Sequence, residues 1–568
     1  MIEIPENLKN EVSRLQGLWT TEERTERIWR REASVWTDAD ESHWLEWLEE
    51  SIFNLDIQKE FVELRELFVQ KRIRDVVLIG MGGASLTAEV MRDSFSGVEG
   101  FPNLHIVNTL DPKLVRHIDQ ALDYEKSMFV VSSKSGSTLE TLLVFRYFAQ
   151  RFSEAIGDFN GDHFIAITDN KTGLEDIATS RKFQKVIPGR RGIGGRFSSI
   201  SVFGQVPACV LGLDLSSLAR NAKNIRERCR ADVPPMQNDG LSLGLVLAAA
   251  VETGRDKITF VISPRFSRFG DWVEQLLAES TGKSEKGVIP ITSERLGDEA
   301  VYGNDRIFIY MRDSQSPDGT QDAGVERLKE AKWPLVQVDI KDPYELAGEF
   351  FRWQFATVVL ASVLKINPFT QPDVEASKVE AQRMLQPCAP FRSVEGKKAL
   401  FNGAPRILIS EDLDGETHKR QEWIGQIKKF LSCFNKGDYL VFLAFVECEG
   451  KVRTLLSEIQ HGCRDGLQIS TSLVFGPQYL HSTGQMHKGG KNTGVFIQIT
   501  CDDDSDIPVA GYEYTFGTVR RAQAASDLKI LQAKGRRILH VHIAGDLLRG
   551  VKLLSRVFNS VVKPEMMS

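Results

Sequence analysis

Within VSSKSGSTLETLL, Val131 to Leu143, Ser132, Ser133, Ser135, Ser137 and Thr138 crowd around Lys134 and Gly136, between an apolar run and a segment with helical spacing. Hydroxyls joined to the free N–H groups of a starting helix form a nest for a tetrahedral dianion such as a phosphate monoester. No GxxxxGK[ST] nucleotide loop is present, so a small phosphorylated metabolite is the expected ligand. A serine-rich helix cap with no ligand is the plain alternative.

Four further stretches carry residue types that do chemistry. In VVLIGMGGAS an apolar strand runs into Gly80, then Gly82, Gly83, Ala84 and Ser85, where a backbone without side chains can approach a bound group. The spacing fails the dinucleotide fingerprint, which leaves a close-approach turn or simple turn glycines. GGRFSSISVFG sets Arg196 after Gly194 and Gly195, with a helix expected near Ser198. A permanently charged planar guanidinium there suits developing negative charge on oxygen, the alternative being a solvated surface arginine. EQLLAESTGK spaces Gln275 and Glu279 one helical turn apart, so that a carboxylate could face an enclosed sugar or, as most do, solvent. QPDVEASK brings Gln371 and Lys378 to nearly the same helix face.

These stretches need a scaffold, and the texture from about residue 72 supplies one. Short continuous apolar runs (RDVVLIG, NLHIVNT, SMFVVSS, DHFIAITD) alternate with helical patterns, which predicts a parallel sheet covered on both faces. After the polar stretch RCRADVPPMQNDG the pattern restarts with KITFVIS, GVIPIT, DRIFIYM and PLVQVDI, and the apolar helix AGEFFRWQFATVVLASVLKI closes it. QPCAPFRSVEGKKALFNGAP reads as a linker to a third α/β region with strands RILIS, YLVFLAFV, TSLVFG, GVFIQIT and RILHVHI. Ahead of all this the first 70 residues hold Trp19, Trp29, Trp36, Trp44 and Trp47, and TDADESHWLEWLEESI from Thr37 predicts a helix whose aromatic stripe is packing surface. The expected fold is therefore α/β: a helical layer over 1–70, doubly wound parallel-sheet domains over 71–228 and 238–386, and an additional α/β domain over 400–568.

A chain of 568 residues exceeds one core, and its net charge of -6 argues against nucleic acid or an anionic membrane as partner. The scattered cysteines never fall in CxxC spacing, which suggests neither a disulfide framework nor a zinc site, and the expectation is no metal and no cofactor. MIEIPENLKNEV has neither the basic nor the apolar region of a secretion signal, and a cytoplasmic location is expected.

Taken in order, GMGGAS, SKSGSTLET, GGRFS, QLLAESTGK and QPDVEASK resemble the phosphoglucose isomerases, built from two sugar-isomerase (SIS) domains, over about 72–385. The tryptophan-rich start and long C-terminal region look like the isomerase half of bifunctional transaldolase/phosphoglucose isomerase proteins. The resemblance implies a soluble homodimer that interconverts glucose 6-phosphate and fructose 6-phosphate through a cis-enediolate. It places the 6-phosphate on Ser133, Lys134, Ser135 and Thr138 and the sugar against Gly82, Gly83, Ala84 and Ser85, although the family usually has Ser where Ala84 stands. It makes Glu279 the base, Arg196 the enediolate stabiliser, Gln275 and Gln371 the orienting groups, and Lys378 the lysine near the ring oxygen. A broader phosphoglucose/phosphomannose isomerase and a noncatalytic SIS sugar-phosphate sensor are the competing readings. The family's ring-opening histidine has no counterpart in 284–377; LHSTGQMHKGG is the nearest likeness. The C-terminal region is accordingly expected to fold back and supply His481, with His487 as second choice.

Overall fold

The computed structural model describes residues 3–53, 59–95, 97–385, 405–410, 417–447, 449–502 and 506–562. The expected linker at 386–405, except Pro405, lies outside the described residues, as do the domain limits that fall in it, Cys388 and Cys448.

Among the described residues three sheets, parallel throughout, carry the fold. The first comprises β1 (Asp75–Gly80), β2 (Asn103–Val107), β3 (Ser127–Ser132), β4 (Phe164–Thr168) and β5 (Lys185–Pro188), in the order β2-β1-β3-β4-β5. The second comprises β6 (Lys257–Ile262), β7 (Ile289–Ile291), β8 (Arg306–Asp313) and β9 (Leu335–Ile340), in the order β7-β6-β8-β9. The third comprises β10 (Arg406–Ser410), β11 (Tyr439–Phe445), β12 (Ser470–Phe475), β13 (Gly494–Cys501) and β14 (Arg537–Ala544), in the order β10-β14-β13-β11-β12. Read from β12, the third sheet repeats the winding of the other two, with β10 added at its far edge. In each sheet the order reverses beside the first strand of the winding, and in open α/β sheets such reversals leave a crevice at the carboxyl ends of the strands.

The α/β class and the continuous apolar strands are as the sequence predicts; β5 is the exception. It is short, only partly buried and ends on Pro188 at the sheet edge, so its four residues carry little pattern to read.

Alternate residues of one strand enter different cores, as the two-residue period of a strand requires. Val76 and Leu78 of β1 join the N-terminal Trp19, Trp36 and Trp47, the second sheet and the helix Leu346–Leu364. Val77 and Ile79 join Val441 and Leu443 of β11. The third sheet thus shares a core with the first, and its opposite face, through Leu440 and Phe442, packs a core of its own.

Two predicted helices are corrected. The stretch from Thr37 forms three short 3-10 turns, Glu41–Trp44, Glu46–Leu48 and Glu50–Phe53. Tertiary bonds take the groups a helix would use: the Glu41 carboxylate accepts from the Thr37 and Ala39 amides, and Leu45 bridges to Ile193. Around Arg196 the chain makes a 3-10 turn, Gly195–Phe197, and the helix begins only at Val202, capped by Ser201. Among the described residues no helix is long and apolar enough to cross a membrane.

Candidate active site

A cavity of about 750 Å³ opens at the carboxyl ends of β1 and β3, where the first sheet reverses its order. All five motif stretches reach its wall. Gly82, at φ +56°, and Gly83 begin the turn after β1. A Cβ on Gly82 would stand 2.8 Å from Gln275 Nε2, and one on Gly83 would collide with the Gly195 carbonyl, so these glycines let three segments close on one another. Ala84 also lines the cavity. Ser85 does not: it is fully buried behind the turn and gives its hydroxyl to the Gly82 carbonyl, which corrects its expected place against a sugar.

Ser133, Lys134, Ser135 and Thr138 line the neighbouring wall, ahead of the helix Leu139–Ile156. Thr138 occupies the N-cap without a side-chain cap bond; its hydroxyl instead lies 3.0 Å from that of Ser133. The Lys134 ammonium is already engaged, by the Asp169 carboxylate and by the Arg190 carbonyl at 2.7 Å. Burial pushes that ammonium down from its ordinary value, against the pull of Asp169. Hydroxyls and helix-start N–H groups are therefore the donors in the nest that are not already spent on an ion pair.

Opposite stands an enclosed acid–base pair. Arg196 is buried, and its donors reach Ser280 Oγ (2.8 Å), Glu279 Oε2 (3.2 Å), Gln371 Oε1 (2.9 Å) and the Pro368 carbonyl (2.5 Å). The sequence alternative of a solvated arginine is thereby excluded. Glu279 is buried as well, one turn beyond Gln275 on the helix Arg268–Thr281. Burial raises its carboxyl pKa, and the charges of Arg196, His481, Lys378 and Lys283 oppose that rise. Gln275 Nε2 donates to the His481 carbonyl at 2.7 Å.

Lys378 reaches the same cavity from the helix Pro372–Met384, half-exposed and 3.1 Å from Glu375. That helix is held by Gln485, whose side-chain oxygen accepts from the Asp373 amide at 3.0 Å and whose nitrogen donates to the Gly282 carbonyl at 2.9 Å. His481 sits on the cavity wall in the turn Gln478–His481 that follows β12. Its Nε2 lies 2.9 Å from Glu140 Oε1, and Gln523 donates to the same oxygen at 2.5 Å. Burial works against the Glu140 charge, but the charge and hydrogen bond of His481, a backbone N–H and Gln523 hold its carboxyl down at about 2. His487, the second-choice histidine, is ruled out as a cavity residue: it is buried against Tyr439 and Phe496, and burial drives its pKa well down.

Glu140 is the residue that sequence reasoning passed over, although it stands inside SKSGSTLET; only a partner 341 residues away marks it. Trp44, treated as packing surface, also lines the cavity. Among the described residues no group of three or more His, Cys, Asp or Glu is placed to hold a metal ion.

Residues 66–298 match the family model "Phosphoglucose isomerase". The chain is 29% identical over 385 residues to a glucose-6-phosphate isomerase of Thermus thermophilus, covering 58% of this chain and 89% of that one. It is 26% identical over 362 residues to a glucose-6-phosphate isomerase of Citrifermentans bemidjiense, covering 56% of this chain and 66% of the relative's length. In fold it is similar to the crystal structure of a glucose-6-phosphate isomerase from Chlamydia trachomatis, with a TM-score of 0.56 at 20% identity over 69% of this chain and 89% of that one.

Proposed function

We propose that this chain, whose residues 66–298 match the phosphoglucose isomerase family model, interconverts glucose 6-phosphate and fructose 6-phosphate through a cis-enediolate. The observation that carries the reading is Glu279, a buried carboxylate set against Arg196 in the cavity that also holds the Ser133–Thr138 hydroxyls.

A proton beside a carbonyl is too weakly acidic to leave unaided, so the reaction needs a placed base and a stabiliser for the oxygen charge that follows. In this reading the 6-phosphate docks on Ser133, Ser135, Thr138 and the amides of the helix start, with Lys134 bracing the loop through Asp169. Glu279 moves the proton between C2 and C1, its raised pKa bringing a carboxylate closer to the working pH of a general base. Arg196 faces the enediolate oxygens, while Gln275 and Gln371 orient the sugar. His481 with Glu140 behind it moves a proton between O1 and O5 to open the ring, and Lys378 stands near the ring oxygen. The same reading makes the protein a cytoplasmic homodimer divided at the limits predicted from the sequence.

A coupled assay of fructose 6-phosphate conversion on the parent and on Glu279→Gln tests the proposal. The amide keeps the shape but cannot take a proton, so turnover should fall about 100- to 10,000-fold while sugar-phosphate binding persists. Near-parental turnover in a folded variant would remove Glu279 from the mechanism, and absence of conversion by the parent would remove the activity.

A further inference from the structure

A second cavity, of about 650 Å³, meets the first at Thr370 and Pro372. Its wall carries Lys283, Lys365, Lys488, Lys534 and Arg536 against only Glu285 and Asp373, in a chain whose net charge is -6. Cations gathered out of bulk water repel one another and lose hydration unless each finds a partner. Three of them do. Lys488 lies 2.6 Å from the Asp527 carboxylate, Lys534 meets Asp373, and Lys283 donates to the Asn367 carbonyl at 2.8 Å and to that of Thr370. Arg536 is only partly served: one terminal nitrogen donates to the Lys488 and Gly490 carbonyls, each at 2.7 Å, while its buried Nε has no hydrogen-bond partner. Lys365 is solvent-exposed. Even with Asp527 counted, the wall keeps an excess of positive charge.

We propose that this second cavity binds a small phosphate-bearing anion, at a site separate from the sugar-phosphate nest. Ammonium groups and a guanidinium around one space favour a compact multivalent oxyanion, because charge-assisted bonds to phosphate oxygens are the strong ones and the guanidinium fork matches their geometry. The volume exceeds what inorganic phosphate alone fills, so the ligand carries phosphate on a larger body or carries more than one phosphate. Burial pushes the Lys283 and Arg536 cations down from their ordinary values, a burden that a bound anion relieves.

The placement also gives the occupant a route to the first cavity. Lys283 holds the Asn367 and Thr370 carbonyls, and Arg196 holds those of Pro368 and Thr370. The next residue, Gln371, is bonded to Arg196 in the first cavity. An anion that alters the hold of Lys283 therefore acts on a loop that Arg196 shares.

Pyrophosphate is the probe, titrated calorimetrically into the full chain. The parent should show two binding sites. Ser135→Asp, which sets like charge in the nest, should remove one and leave the other. Lys365→Glu, at an exposed position where folding is not at stake, should weaken the second by about tenfold or more and leave the first, and Lys534→Gln should also weaken the second. Melting temperatures establish that each variant is folded. Absence of any Lys365-dependent site in the parent, loss of all binding in Ser135→Asp, or undiminished second-site binding in both Lys365→Glu and Lys534→Gln overturns the proposal. Failure of the sugar-phosphate reading would look different: no Ser135-dependent site, with the Lys365-dependent site intact.

Discussion

At the scale of single residues, the site sets buried charges against one another. The Glu140 carboxylate also holds His481, 2.9 Å from its Nε2, and in the proposed mechanism fixes the orientation of that ring. Glu140→Gln keeps the shape and removes the charge, so turnover of fructose 6-phosphate should drop at least about tenfold, less than the loss from a missing acid–base group. Unchanged kcat in that variant would take the pair out of the chemistry. Glu274, next to the cavity residue Gln275, makes the opposite case: burial, with Asp271 adding to it, pushes its carboxyl up to about 8 from an ordinary 4.5. The folded state binds that proton more tightly than the unfolded chain does. Its contribution to stability is therefore fully present below about pH 4.5 and is lost as pH rises towards 8. The melting temperature of Glu274→Gln should accordingly fall less than the parent's between pH 5 and pH 8, and parallel profiles would contradict this.

Elements meet at the site by backbone contact as much as by side chains. The turn after β1 and the Gly194–Arg196 segment approach so closely at Gly83 that any side chain there must part them. Arg196 follows directly on that contact, so Gly83→Ala should displace the guanidinium relative to Glu279. Misplacing a catalytic group by an ångström costs about 100-fold. That loss should appear in kcat/KM for fructose 6-phosphate, in a variant whose circular dichroism stays parental; parental kcat/KM would show that the turn yields without moving Arg196.

For the whole molecule, the position of His481 depends on how the third sheet docks. β12, which leads into the His481 turn, is tied to the second sheet by a fully buried ion pair: Arg306 lies 2.7 Å from Glu294 and donates to the Ile469 carbonyl, while Glu294 accepts from the Thr471 amide at 2.6 Å. Removing one partner of such a pair leaves an uncompensated buried charge, at about 3–5 kcal/mol. Glu294→Ala should lose stability on that scale in urea denaturation, and turnover should fall in the protein that remains folded, because β12 has lost its tie. Stability within about 1 kcal/mol of the parent's would show that Arg306 finds solvent or another partner.

Much of this protein was legible in the sequence alone. Strand runs such as VVLIG and FVVS announce themselves because a strand buried on both faces must be apolar at every position, a requirement met by sequence neighbours. The motif stretches were legible for a similar reason: nest, glycine turn and helix-face spacing are set within a few residues. The tertiary structure decided the rest. That Arg196 is buried against Glu279, that Thr37–Phe53 coils into short turns, that Ser85 and His487 lie off the cavity wall, and that His481 meets Glu140 across 341 residues depend on which segments pack together. Desolvation and charge pairing are properties of the enclosed space, and no local run of residues specifies what will enclose it.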